Sequence, residues 1–216
     1  MRRIINRQIV FLSIILAGIL SAGKSAAAVY SLNSNAAVDS VLFESTAKLE
    51  FIEGKTKAVE GYFTFNPEKS TDSITGIIRV DLTTLKTGID TRDQHMRDNY
   101  LETDKYPYAF FELVSIPDIP AVITAGKEYT VTGEGNFYIH EVYRKLHPSI
   151  TFTVHEGGEL VQIETSFSIN LEDYDIERPK LVFMKLAKTI NVRLFLTGFL
   201  SENKKEIVLP SSFKAK

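Results

Sequence analysis

From Val41 onward, apolar and polar residues alternate along the chain, the pattern of β-strands with one buried face. Val41, Phe43, Ser45, Ala47, Leu49 and Phe51 share one side of a first run, opposite Leu42, Glu44, Thr46, Lys48 and Glu50, with Gly54 read as a turn. Val59, Gly61, Phe63 and Phe65 form the second run, ending at Asn66-Pro67, and Ile74, Gly76, Ile78, Val80 and Leu82 the third. Ala109, Phe111 and Leu113 make a fourth, before Pro117 and Pro120 break the pattern. A fifth spans Tyr129 to Ile139 with Phe137 inward, and a sixth takes Leu146, Ile150, Phe152 and Val154. After Gly157-Gly158 come Val161, Ile163, Thr165, Phe167, Ile169 and Leu171, and the last run aligns Ile190, Val192, Leu194 and Leu196. The pattern predicts an all-β, eight-stranded antiparallel domain. Closure into a barrel removes exposed edges and leaves an interior wide enough for side chains or one small ligand. A two-sheet sandwich is the alternative.

Two linkers exceed hairpin length, 83–106 and 172–188. Long irregular segments in compact domains are usually functional loops. In the first, Asp90 or Thr91 can cap a helix running from Arg92 to about Leu101, with Asp93 in its positively polarised first turn. Met96, Asn99 and Tyr100 then share a side, which predicts a short helical flap between strands 3 and 4, over the barrel mouth.

The N-terminus changes where the domain works. Arg2, Arg3 and Arg7 precede the apolar run IVFLSIILAGIL (Ile9 to Leu20), and Ala26-Ala27-Ala28 offers a small-residue cleavage site. Residues 1–28 therefore read as a secretory signal peptide, and 29–216 as a single domain in the periplasm or outside the cell. An uncleaved anchor is the alternative, against which the apolar run falls short of the roughly 20 residues that cross a bilayer. The chain has no cysteine, which removes disulfides, thiolate metal sites and cysteine nucleophiles. Its net charge of -2, with both signs interspersed, does not suggest a nucleic-acid partner.

Motifs for nucleophilic, zinc, nucleotide or calcium chemistry are absent from the sequence. Gly133 and Gly135 begin a dinucleotide-like pattern, but Asn136-Phe137-Tyr138 follows where a third glycine belongs, so they read as glycines that relieve crowding or bend a strand. Four histidines, His95, His140, His147 and His155, give no clear metal set, and no cofactor is implied. His95 between Asp93 and Arg97 can be read as an acid/base group or as part of a salt-bridged helix start. The inward phenylalanines can fill a solid core or line a cavity, and periodicity alone does not distinguish these.

Several of these residues together resemble the YceI-like lipid-binding family, exported bacterial proteins with a lipocalin-like barrel. Thr87-Gly88, Arg92-Asp93, His95-Met96, Tyr100-Leu101, Tyr106-Pro107 and Phe111 stand in the order and approximate spacing of the family signature. Gly61, Phe63 and Phe65 match its second strand, and Gly133, Phe137, Ile139 and His140 a later segment. Glu141, Tyr143 and Lys145-Leu146 depart from the glycine, threonine and Pro-Val usual there. The likeness spans roughly Asp39 to Leu200.

The resemblance implies a lipocalin-like barrel with an apolar cavity for a polyisoprenoid, quinone or similar amphiphile. It implies a non-catalytic carrier or scavenger. Phe43, Phe63, Phe65, Ile78, Met96, Tyr100, Phe111, Phe137, Ile139, Phe152 and Phe167 are the expected ligand-binding residues. Arg92, Asp93 and His95 are expected to anchor the flap or meet a polar head. Alternatives are an enzyme using His95 and Asp93 as an acid/base pair, and a solid-cored interaction module. Phe195 and Phe199 point outward in this register and offer a homodimer face.

Overall fold

The computed structural model describes residues 27–32, 39–47, 50–71, 74–178, 180–181, 184–185, 187–204, 206–211 and 213. Residues 1–26, which carry the expected leader, lie outside this set, as do Lys48 and Leu49 of the first expected run. In chain order the elements are β1 (Ala28–Leu32), β2 (Ser40–Ala47), β3 (Glu50–Thr56), β4 (Val59–Phe65), β5 (Thr75–Asp81), α1 (Asp90–His95) and β6 (Tyr108–Ser115). Then follow β7 (Glu128–Thr132), β8 (Glu134–Ile139), β9 (Val142–Leu146), β10 (Ser149–Val154), β11 (Leu160–Asn170), β12 (Lys180–Leu181), β13 (Met184–Lys185) and β14 (Thr189–Ser201).

One curled, antiparallel sheet of 12 strands replaces the expected eight, and β12 and β13 form a separate two-stranded hairpin. The order β7-β10-β11-β14-β1-β4-β5-β6-β8-β9 has β2 attached to β14 and β3. The higher count arises where expected strands bend. β7 passes into β8 at Gly133, whose N–H donates to the Pro148 carbonyl at 2.9 Å, and β9 passes into β10 at His147-Pro148. Pro148 has no N–H to give the ladder, so the hairpin changes direction there. Its β8 half pairs with β6 and its β10 half with β11, so both ends of the strand order belong to one bent hairpin.

The first expected run is also corrected. It divides into β2 and β3, which pair with each other and place Phe43 opposite Gly54. Gly54 therefore lies inside a strand instead of at a turn. The reversal also switches the face: Ile52 is buried and Phe51 is 59% exposed. β1, for which the alternation gave no expectation, pairs with both β14 and β4, and Tyr30 and Leu32 are each only 1% exposed.

The outer face is not uniformly wet. Ile77, Phe110 and Tyr138 are buried on the side of the sheet away from the interior, under Phe213 of the C-terminal segment, with Ile207 and Tyr143 beside them. The Phe213 ring centroid lies 5.7 Å from Phe110, 5.6 Å from Tyr138 and 5.4 Å from Tyr143. Phe199 is exposed and Phe195 half-buried on β14.

Candidate functional site

The 83–106 segment forms a helix, starting earlier than its expected first turn. α1 begins at Asp90, its N-cap Ile89 supplies no side-chain cap, and a π-helical turn, Met96–Tyr100, continues it. The anchor is Asp93 instead. Its buried Oδ1 accepts from the Thr87 amide at 2.7 Å and the Thr87 hydroxyl at 2.5 Å, while Arg92 Nε donates to the same hydroxyl at 2.7 Å. Burial works to raise the Asp93 pKa, but the two Thr87 hydrogen bonds, with Arg97 and Arg92 nearby, outweigh it and hold the carboxyl below its usual range.

A carboxyl depressed in the fold stabilises it above the unfolded value, and that stabilisation is lost as pH falls through the folded value. Asp93→Asn keeps an acceptor but loses the charge. It is expected to cost about 1 to 2 kcal/mol at neutral pH. Urea midpoints of variant and parent followed across pH should begin to approach each other below about pH 4, as the unfolded carboxyl takes up its proton, and converge only below the depressed folded value. Parallel profiles would mean that Asp93 contributes no charge-dependent stability.

Past the π turn, Glu102 ties the segment to the β8–β9 hairpin. Its carboxylate meets His140 Nε2 at 3.0 Å and Lys105 on its other oxygen, and the Tyr106 ring packs edge-on to His140 at 4.6 Å. Both hairpin-turn residues, His140 and Glu141, have positive φ (53° and 63°). A glycine at the second position would adopt this more cheaply.

Inside the sheet lie two apolar chambers, of about 150 and 80 Å³. The larger is lined by Phe43, Met96, Tyr100, Phe137, Ile139 and Phe167, with Leu171 and Ile176 from the segment after β11. The smaller is lined by Phe63, Phe65 and Phe152, with Ile116 and Ile119 from the loop after β6. Ile78 and Phe111 line both and stand between them. Asn99, expected beside Met96 and Tyr100, is exposed. Arg92 and Asp93 are engaged with Thr87, and His95 is exposed with no hydrogen bond or ion pair among the described residues. Asp93 and His95 thus form no hydrogen-bonded pair.

The phenyl rings leave space because glycines stand beside them. A Cβ on Gly54 would fall inside the Phe43 ring, one on Gly135 inside the Phe111 ring, and one on Gly198 only 2.5 Å from the Phe63 ring. Phe43, Phe63 and Phe111 thus lie against bare backbone, while Phe111 and Phe137 also meet Phe167 from strands that are not its neighbours in the sheet. Phe63 also stacks on Tyr30 (centroids 5.0 Å apart, planes 8° apart), and Phe111 on Phe167 (6.2 Å, 19°). Next to the larger chamber, burial pushes the Tyr174 phenol up to about 12, so it stays neutral there.

The alternation did not mark β1, Tyr174, Ile176, Ile116 and Ile119 as parts of this site. Each comes from a short strand or an irregular segment, where no period exists to read.

The family model for the YceI-like domain matches residues 30–197. Among solved structures, the fold is similar to a polyisoprenoid binding domain from Saccharophagus degradans implicated in plant cell wall breakdown. That match has 18% identity and a TM-score of 0.61, over 80% of this chain and 98% of that one. It is also similar to BcnA of Burkholderia cenocepacia (17%, TM-score 0.57, 74% of this chain and 95% of that one). A Campylobacter jejuni YCEI protein aligns at 14% with a TM-score of 0.56, over 74% of this chain and 88% of that one. No curated protein matches.

Proposed function

Because the chain belongs to the family of YceI-like domains, we propose that it is an exported, non-catalytic carrier or scavenger that takes a polyisoprenoid, a quinone or a similar amphiphile into its interior. The observation that carries this reading is the pair of chambers, walled mainly by aliphatic and aromatic side chains, that share Ile78 and Phe111 in their linings. Each methylene withdrawn from water into such a space contributes roughly 0.8 kcal/mol, so hydrocarbon length supplies the affinity. The polyisoprenoid named for the Saccharophagus domain is a ligand of this type.

The helical segment acts in this reading as a flap, with Met96 and Tyr100 over the larger chamber and Asp93 holding the segment down through Thr87. An acid/base role for His95 and Asp93 draws no support from their separate placements. Cleavage after Ala28 would leave Val29 first, inside β1, so the exported chain loses the Ala28–Phe65 pair and keeps the pairing of Val29 to Leu32 with β14 and β4. Among the described residues no helix is long and apolar enough to cross a membrane.

Mass spectrometry of an organic extract, from protein purified out of its native host, tests the reading. The parent is expected to release a long-chain amphiphile, and the Met96→Asp, Tyr100→Asp pair to release little or none, because a carboxylate in an apolar chamber is costly. A chemically altered ligand after incubation would favour an enzyme. An empty parent extract would favour a solid-cored interaction module.

A further inference from the structure

Thr165 breaks the apolar series that faces the interior from β11. It stands between Ile163 and Phe167 on the inward side, lines the smaller chamber and is 7% exposed. Its hydroxyl has no hydrogen-bond partner among the described residues. Opposite it in the ladders are Ile150 and Leu194, whose side chains neither donate nor accept. A buried hydroxyl without a partner is costly, and a valine of nearly the same shape would fill the place without that cost. Tyr62 also borders this chamber, but its half-buried ring belongs to the outer aromatic cluster, with Lys204 Nζ 5.4 Å from its centroid. The other lining side chains of the smaller chamber are apolar.

At the opposite end, the polar side chain among those lining the larger chamber is the half-buried Tyr100 phenol, and Ser45 on β2, whose buried hydroxyl also has no partner among the described residues, lines neither chamber. Arg92 and Asp93 are engaged with Thr87, and His95 is exposed. We propose that Thr165 binds the ligand's polar group, and that this group is a single uncharged hydroxyl or carbonyl. The ligand then lies with its polar end in the smaller chamber and its hydrocarbon passing Ile78 and Phe111 toward Met96 and Tyr100, the reverse of a head group held at the flap. A phosphate or carboxylate is disfavoured, because no cationic side chain lines the smaller chamber to balance it. Turning χ1 to another staggered well would carry the threonine oxygen toward the ligand. This inference rests on the carrier reading above and adds ligand polarity and orientation to it.

The experiment compares farnesol with the matching hydrocarbon that lacks only the hydroxyl, each titrated into the parent, Thr165→Val and Thr165→Ser. Thr165→Val is expected to bind farnesol roughly tenfold more weakly than the parent while binding the hydrocarbon within about twofold. Thr165→Ser should keep the parent's preference. Farnesyl diphosphate should bind the parent more weakly than farnesol. If Thr165→Val weakens both ligands equally, or neither, or if the diphosphate binds best, the assignment is overturned while the carrier reading stands. If the parent takes up neither probe, the carrier reading falls, and this inference with it.

Discussion

Gly54→Ala is expected to abolish most ligand uptake while leaving the sheet folded. The new methyl group would fall inside the Phe43 ring, and the three closest atoms to it all belong to that ring, none to the backbone. The ring can therefore move, and the space open to it is the larger chamber, which Phe43 already lines. A phenyl group turned into a cavity of about 150 Å³ removes much of the room for a hydrocarbon chain. The stability cost is small, because overpacking of about 1 to 3 kcal/mol is partly offset by replacing a flexible glycine in a strand, worth roughly 0.5 to 1 kcal/mol. Farnesol titration should give at least a tenfold loss in apparent affinity, with the urea midpoint moving little. Adding Phe43→Leu should restore uptake, since the shorter side chain clears the methyl group without entering the chamber. Undiminished uptake by Gly54→Ala would mean that Phe43 lies flat for another reason.

That pairing also marks the boundary of what the sequence could say. Period-two alternation placed Phe43, Phe63, Phe65, Ile78, Phe111, Phe137, Ile139, Phe152 and Phe167 on the inner face, and each lines a chamber. Alternation fixes which side a residue faces, because a strand has only two. It does not fix which residue stands beside it on the next strand. Phe43 meets Gly54 only once β2 and β3 pair, and Phe63 meets Gly198 through strands 135 positions apart, so the open interior is a property of register. The bends were illegible for a related reason: Gly133 and Pro148 look like local irregularities until their hydrogen bond joins them into one corner. In the 83–106 linker, helical spacing put Met96 and Tyr100 on one side, and both line the larger chamber, but composition alone could not tell that Asp93 would be engaged by Thr87. Thr165 was visible as an inward residue, and only its missing partner sets it apart.

Phe213→Ala should have the opposite signature, a loss of stability with ligand uptake unchanged. The ring is 7% exposed and packs against Phe110, Tyr138 and Tyr143 on the outer face of the sheet, with Phe110 also bordering the larger chamber. It belongs to a segment beyond residue 197, where the YceI-like match ends, so this cover is outside what the family pattern accounts for. Truncating a buried phenylalanine typically costs 3 to 5 kcal/mol. A segment near a chain end can detach without unfolding the sheet, which caps the loss at what the segment itself contributes, so about 2 to 3 kcal/mol is expected. For a domain of this size that lowers Tm by roughly 4 to 12 °C. Detachment would bare Phe110, now 2% exposed, and Tyr138, now 4% exposed, so binding of a hydrophobic dye should rise as stability falls. Farnesol affinity should stay close to the parent's, because Phe213 lines neither chamber, although Phe110 beneath it borders the larger one. If the urea midpoint and dye binding equal the parent's, the tail is not part of the cooperative fold. If farnesol affinity drops along with them, the outer aromatic cluster instead supports the shape of the chambers through Phe110 and its neighbour Phe111.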